Sequence, residues 1–158
     1  MDNLQVRIQE ILPYQKKTNQ KGYWVYTKND KYNPELNYLY WEFENNSKIT
    51  EVILPSKIEQ VYYNAFKNCV NLEKIVFPSS SLVFEYKVFY GCANLKTLQI
   101  LAETLNVAKN TFDGVSTTGI DLVINEKCSV TADGLMWGEK TWKSITKVKV
   151  DADGNIIP

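Results

Sequence analysis

The residue types that carry chemistry are thinly represented in this chain. It has no histidine, which removes Ser-His-Asp and Cys-His catalysis, histidine-ligated zinc and histidine pH switches together. Three cysteines, Cys69, Cys92 and Cys128, are too few and too spread for a Cys-only zinc site, and their odd number leaves at least one thiol free. Asp151-x-Asp153-Gly154-Asn155 is similar to the start of a calcium loop, but its glycine comes too early and the chain ends before a bidentate Glu, so it reads as a turn. Glu42 and Glu44 share one strand face, the spacing of an acid/base pair, yet nothing else supports a glycosidase site around them. Asn45-Asn46-Ser47 is a formal glycosylation sequon, meaningful only on a eukaryotic secretory route. There is no Gly-rich phosphate loop. The chain therefore reads as non-enzymatic, with no cofactor and no metal site.

What positions these residues is a repeat. Phe43, Phe66, Phe89 and Phe112 stand 23 residues apart three times over, and each opens a copied pattern. The full form is Phe66-x-x-Cys69-x-x-Leu72-x-x-Ile75-x-Phe77-Pro78, followed by Phe89-x-x-Cys92-x-x-Leu95-x-x-Leu98-x-Ile100. The preceding copy, from Phe43 through Ile49, Val52 and Leu54 to Pro55, keeps the spacing with Asn46 at the Cys position. The last copy holds Phe112 and Val115, but its apolar pair arrives one residue late as Leu122 and Ile124. A fixed period over this length marks a solenoid of stacked units, none of which buries its apolar face alone. Cys69 and Cys92, at one repeat position, read as small hydrophobes stacked in neighbouring coils. A bridge between them is sterically open, because adjacent coils lie about 4.8 Å apart. Cys128 lies outside the pattern and is the thiol expected to be exposed.

Each unit divides in two. Inward positions two apart at its end, as in Ile75 and Phe77, are strand periodicity, so stacked units should form a parallel ladder. The return half buries Ile58 and Val61, then Leu82 and Phe84, then Leu105 and Val107 before the next Phe. Asn71 and Asn94, one before each Leu, suit turns in which a side-chain amide bonds the backbone. Residues 1–37 fall outside the period and read as an N-terminal cap. Its first element is ambiguous between helix and strand and ends at Pro13. Tyr23-Trp24-Val25-Tyr26 is a short strand between polar turns at 16–22 and 28–34, and the alternating run from Leu39 leads into Phe43. At the far end Trp137, Trp142 and Ile145 are expected to cover the last coil. Apolar residues on both sides of Asp153-Gly154 give a terminal hairpin.

Ile49-Thr50-Glu51-Val52-Ile53-Leu54-Pro55, Asn64-Ala65-Phe66-Lys67-Asn68-Cys69-Val70-Asn71-Leu72 and Tyr90-Gly91-Cys92-Ala93-Asn94-Leu95 resemble BspA-type leucine-rich repeats. The resemblance covers residues 38 to about 126. It implies a bacterial or protist surface protein, extracellular or cell-surface in location, that adheres to a host protein or another cell. The expected architecture is one domain, 1–158: a leucine-rich-repeat solenoid, a right-handed β-rich superhelix of about four 23-residue coils. It has an N-terminal cap (1–37), repeats (38–126) and a C-terminal cap with hairpin (127–158).

Length and charge bound the function further. With 158 residues and 44% apolar composition one domain is the default. Lys plus Arg equals Asp plus Glu at 18 each, so no net field draws the protein to nucleic acid or an anionic membrane. No stretch reaches the roughly 20 apolar residues of a membrane span, and the first residues lack the basic start and apolar run of a signal peptide. That admits a cytoplasmic protein or one already relieved of its export signal. The candidate binding surface is formed by the outward residues that alternate with the inward ones, the other reading of its apolar row being β-branched residues taken for strand propensity or a face covered by the caps. One outward row is Glu51, Lys74, Thr97 and Asp121; the second, oddly apolar, is Ile53, Val76, Gln99 and Val123. Such a row is a strip under roughly 20 Å long, too narrow to supply the roughly 800 Å² per partner of a standard interface. A partner would also need Tyr62, Tyr63, Tyr86 and Tyr90, or several domains together. The expected partner is a protein ligand. Self-assembly into a homo-oligomer or spacer is the rival, and carbohydrate binding, suggested by the 13% aromatic content, the third reading.

Overall fold

Alternating buried and exposed residues shape this chain, and in the computed structural model the regular elements among the described residues are strands and one short 3-10 turn. The structure describes residues 38–39, 43–54 and 56–158, together with the backbone of three short strands before them. These are β1 (Leu4–Arg7), β2 (Lys17–Thr18) and β3 (Trp24–Val25). Next come β4 (Tyr38–Leu39), β5 (Ile49–Ile53), β6 (Gln60–Val61) and β7 (Lys74–Phe77). The later coils supply β8 (Ser81–Phe84), β9 (Thr97–Ile100), β10 (Thr104–Val107) and β11 (Asp121–Asn125). β12 (Met136–Trp137), β13 (Lys140–Thr141), β14 (Ser144–Val150) and β15 (Ile156–Ile157) complete the order. Pro13, Glu42, Pro55 and the expected turn at 28–34 lie outside the described residues.

Two sheets grow side by side as the chain winds. The larger runs β1-β5-β7-β9-β11-β14-β15, parallel throughout except for the β14–β15 pair. The smaller runs β10-β8-β6-β4 and is parallel throughout. This is the expected solenoid, with about five turns of about 23 residues rather than about four. The added rung is β14, which pairs Ser144 with Asp121 and Ile145 with Leu122. It stands inside the stretch read as a cap because Lys147 sits opposite Ile124, where earlier coils have an inward apolar residue. The return legs, expected only to be buried, are strands in their own right. At the start, β1 resolves the ambiguous first element as a strand, with Arg7 in register with Ile53. β2 and β3 pair antiparallel.

The late arrival of Leu122 has a local cause. A 3-10 turn at Thr117–Gly119 absorbs the extra residue, so Leu122 still pairs with Leu98 and Ile124 with Ile100. Inside, Phe43, Phe66, Phe89 and Phe112 stack in one column, with centroids 5.3, 6.1 and 5.7 Å apart and planes within 11°. Phe77 sets its ring edge-on against Phe66 and Phe84, joining the two sheets through the core. Trp142 then meets Phe112 at 5.0 Å and 86°, an edge-to-face contact that ends the parallel stack. Both tryptophans are buried and satisfied, Trp137 donating to the Val130 carbonyl at 3.0 Å and Trp142 to that of Trp137 at 2.8 Å. Ile145 does not share in this capping to the same degree; it is half-buried on the β14 rung.

The cysteines are all free and all buried. Cys69 donates its thiol to the Phe43 carbonyl at 2.9 Å and Cys92 donates to that of Phe66 at 3.1 Å, so each ties its coil to the one before. The neighbouring Cys92 thiol, and then burial, push the Cys69 thiol far up from its ordinary value. Cys128 corrects the expectation of an exposed thiol. The turn after β11, closed by its N–H to the Asn125 carbonyl, directs it into the core, where desolvation raises its pKa. Asn71 and Asn94 also bond backbone, but across coils: they donate to the carbonyls of Ser47 and Val70 at 2.7 and 2.6 Å. At the Cys position of its copy, Asn46 accepts the N–H of Lys48 at 3.0 Å.

The terminal hairpin forms as expected, with Val150 opposite Ile156. Asp151 fills its turn, one carboxylate oxygen accepting the N–H groups of Asp153 and Asn155 and the other the Asn155 amide. Those bonds, led by the Asn155 backbone N–H, hold its carboxyl below the usual range. The turn folds back onto the strip beyond β7. A Cβ on Gly154, at φ +84°, would run into the Pro78 carbonyl and lie 2.9 Å from the Pro78 Cβ.

Candidate functional site

Parallel pairing without slippage puts outward residues of successive coils directly beside one another. Glu51, Lys74, Thr97 and Asp121 share one register line, which Ser144 continues. Ile53, Val76, Gln99 and Val123 share the next, continued by Thr146. All eight sequence-predicted row residues are half-buried, as expected of a flat sheet face whose side chains shield one another. The charges of the first row are answered within it or by the adjoining Lys143. Lys74 reaches Glu51 at 3.8 Å. Asp121 accepts from Ser144 Oγ at 2.6 Å and from Lys143 Nζ at 3.2 Å. The Ser144 hydrogen bond first, and Lys143 second, hold the Asp121 carboxyl below its usual value. The four residues of the second row are uncharged, and Arg7 of β1 stands in register beside Ile53 at its start. The face thus offers an apolar line beside internally matched charges, which suits protein contact better than acid/base chemistry.

The four tyrosines do not act as one group. Tyr62 turns toward Tyr38, meeting it edge-on at 6.0 Å, and is half-buried. Tyr63 and Tyr86, one period apart, stack at 5.2 Å and 6° with nearly half of each side chain in water. Tyr90 joins them in an open cleft lined also by Asn64, Lys67 and Lys87, enclosing about 300 Å³. Lys87 Nζ sits over the Tyr90 ring, 5.8 Å from its centroid. The same ring packs on the backbone of Gly114, where a Cβ would come within 2.7 Å of Tyr90 Cε2 and where φ is +78°.

Asn64, Lys67 and Lys87 were not singled out from the sequence. No pattern in the sequence marks them; in the structure Asn64 and Lys87, at one repeat position, both adopt left-handed backbone, with φ 69° and 53°. Asparagine takes that region readily, whereas lysine does so at a cost. Lys87 is thus a strained residue at the mouth of a cleft, a combination found at ligand sites.

Among the described residues no group of three or more His, Cys, Asp or Glu is placed to hold a metal ion, and no helix is long and apolar enough to cross a membrane. The family model described as "BspA type Leucine rich repeat region (6 copies)" matches residues 40–134. No curated protein and no solved structure matches the chain.

Proposed function

The chain belongs to the BspA-type leucine-rich repeat family, a protein-interaction repeat, and from that membership we propose a non-catalytic recognition or adhesion module, secreted or on a cell surface, that holds a protein partner on the outward face of its larger sheet. The observation that carries this reading is the uncharged register line Ile53, Val76, Gln99 and Val123, flanked by charges already matched to one another. Apolar surface can be covered there without stranding a charge, the costly event at an interface. The line alone is short, so the partner extends beyond it onto neighbouring surfaces.

The test is capture from cell-surface and matrix extracts by wild type and by an Ile53→Asp/Val76→Asp variant whose fold is checked by circular dichroism. Capture by wild type alone is the expected result; equal capture by both places the surface elsewhere. Self-assembly has its own supporting observation, the exposed Leu135, Met136, Ile156 and Ile157 in the C-terminal stretch. Against it, Lys147 puts an exposed charge on the last full rung, a device that blunts edge-to-edge pairing. Light scattering of the wild type decides: a concentration-independent monomer removes the assembly reading.

A further inference from the structure

From the groups that line the Tyr63, Tyr86 and Tyr90 cleft we infer a second binding site, for a short acidic peptide segment bearing one or two carboxylates. This goes beyond the sheet-face reading and stands without it, because the cleft and that face share no residues.

The inference begins with what the rings present. Tyr63 and Tyr86 spend a face on each other, and Tyr90 has Lys87 Nζ over its ring and the Gly114 backbone packed against it. A sugar that stacks on an open aromatic face therefore finds little here. What remains toward the cleft are ring edges, which carry the positive end of the aromatic quadrupole, and phenolic hydroxyls able to donate. Two ammonium groups complete the lining. Lys74, Lys96, Lys140 and Lys143 each pair with a carboxylate; among the described residues neither Lys67 nor Lys87 makes such a pair. One period from Lys67 and Tyr90 stand the acids Glu44 and Asp113, of which Asp113 is already held by Lys140 at 3.2 Å, while Glu85, beside Tyr86, accepts from Gln60 Nε2 at 3.1 Å. The charged groups lining the space, Lys67 and Lys87, are both positive, the Asn64 amide and the phenolic hydroxyls can donate beside them, and the missing complement is an anion.

Two features favour peptide over sulfated polysaccharide. The cleft, at about 300 Å³, accommodates a few residues rather than a chain of sugars. The protein carries equal numbers of acidic and basic residues, so it lacks the wide basic field that captures dense polyanions.

The test is fluorescence anisotropy with a fluorescein-labelled peptide containing four consecutive glutamates, beside the same peptide with four glutamines and a labelled heparin tetrasaccharide. The protein is used as wild type, as Lys67→Gln/Lys87→Asn, and as the folded Ile53→Asp/Val76→Asp variant. Asparagine is chosen at 87 because it accepts the left-handed backbone there. The expected result is glutamate-peptide binding by wild type that weakens with salt, falls at least about tenfold in the lysine variant, and is unchanged in the sheet variant. Failure of wild type to bind the glutamate peptide overturns the site, as does equal binding by the lysine variant or by the glutamine peptide, or preference for the heparin fragment. The sheet-face reading fails separately, when the Ile53→Asp/Val76→Asp variant captures partners as well as wild type does.

Discussion

Two sets of aromatic rings climb this solenoid at the same 23-residue step, one inside and one outside. Phe43 and Phe66 stack at 5.3 Å and 5°, Tyr63 and Tyr86 at 5.2 Å and 6°. The geometry is nearly the same, so ring stacking itself, about 0.5–1.5 kcal/mol beyond area burial, cannot distinguish their roles. Water does. The phenylalanines are 0% exposed and the tyrosines 47% and 46%, so only the inner column gains the full burial of its surface. One period therefore produces two outcomes: a buried column that holds the coils together and a ledge left half exposed to water.

The largest expected effect lies in the inner column. Phe66→Ala removes a ring that touches Phe43, Phe77 and Phe89, and should cost about 3–5 kcal/mol in urea unfolding. An unchanged midpoint would mean the column does not hold the coils together. Next is the seam where the ledge rests on the backbone. Gly114→Ala forces a Cβ against the Tyr90 ring at a left-handed position and should cost about 1–2 kcal/mol, with a change in tyrosine fluorescence as the ring is displaced.

A third expectation sharpens the contrast between inside and outside by chemistry rather than stability. Native-state labelling with a thiol reagent should be slow at all three cysteines, with Cys128, 9% exposed, ahead of Cys69 and Cys92, which should react only on unfolding. Mass spectrometry of partly labelled protein gives the order, and early labelling of Cys69 would contradict the thiol-to-carbonyl ties between coils. The smallest effect is at the surface. Asp121 and Asp151 have folded pKa values below the usual 3.8, so their contribution is present above that value and is lost as pH falls through the folded pKa. Acid titration of stability should therefore steepen below about pH 4 in wild type and flatten in Asp121→Asn/Asp151→Asn.

The repeat was legible because inward residues are apolar at a constant step, and the four phenylalanines together with Ile75, Leu98 and Leu122 announce their partners directly. The rung at β14 was hidden by Lys147 and by the tryptophans that replace phenylalanine at the end of the column. The return-leg strands were less plain because β6 is only two residues long, too short for alternation to register. Cys128 misled because it departs from the period, although burial there is set by a turn rather than by a repeat position. On the surface, the rows were readable from strand alternation alone. The cleft was not, because Lys67 and Lys87 lie on turns and come together with the tyrosines only once left-handed residues set the path of the chain.

The most direct test of this division is a thermal melt of Tyr63→Ala/Tyr86→Ala beside Phe66→Ala in the same buffer. Exposed rings removed together should leave the protein within about 1 kcal/mol of wild type, while the single buried ring lowers the melting temperature by many degrees. Equal losses would contradict the account, since the outer pair would then belong to the structural framework rather than to a surface left available for binding.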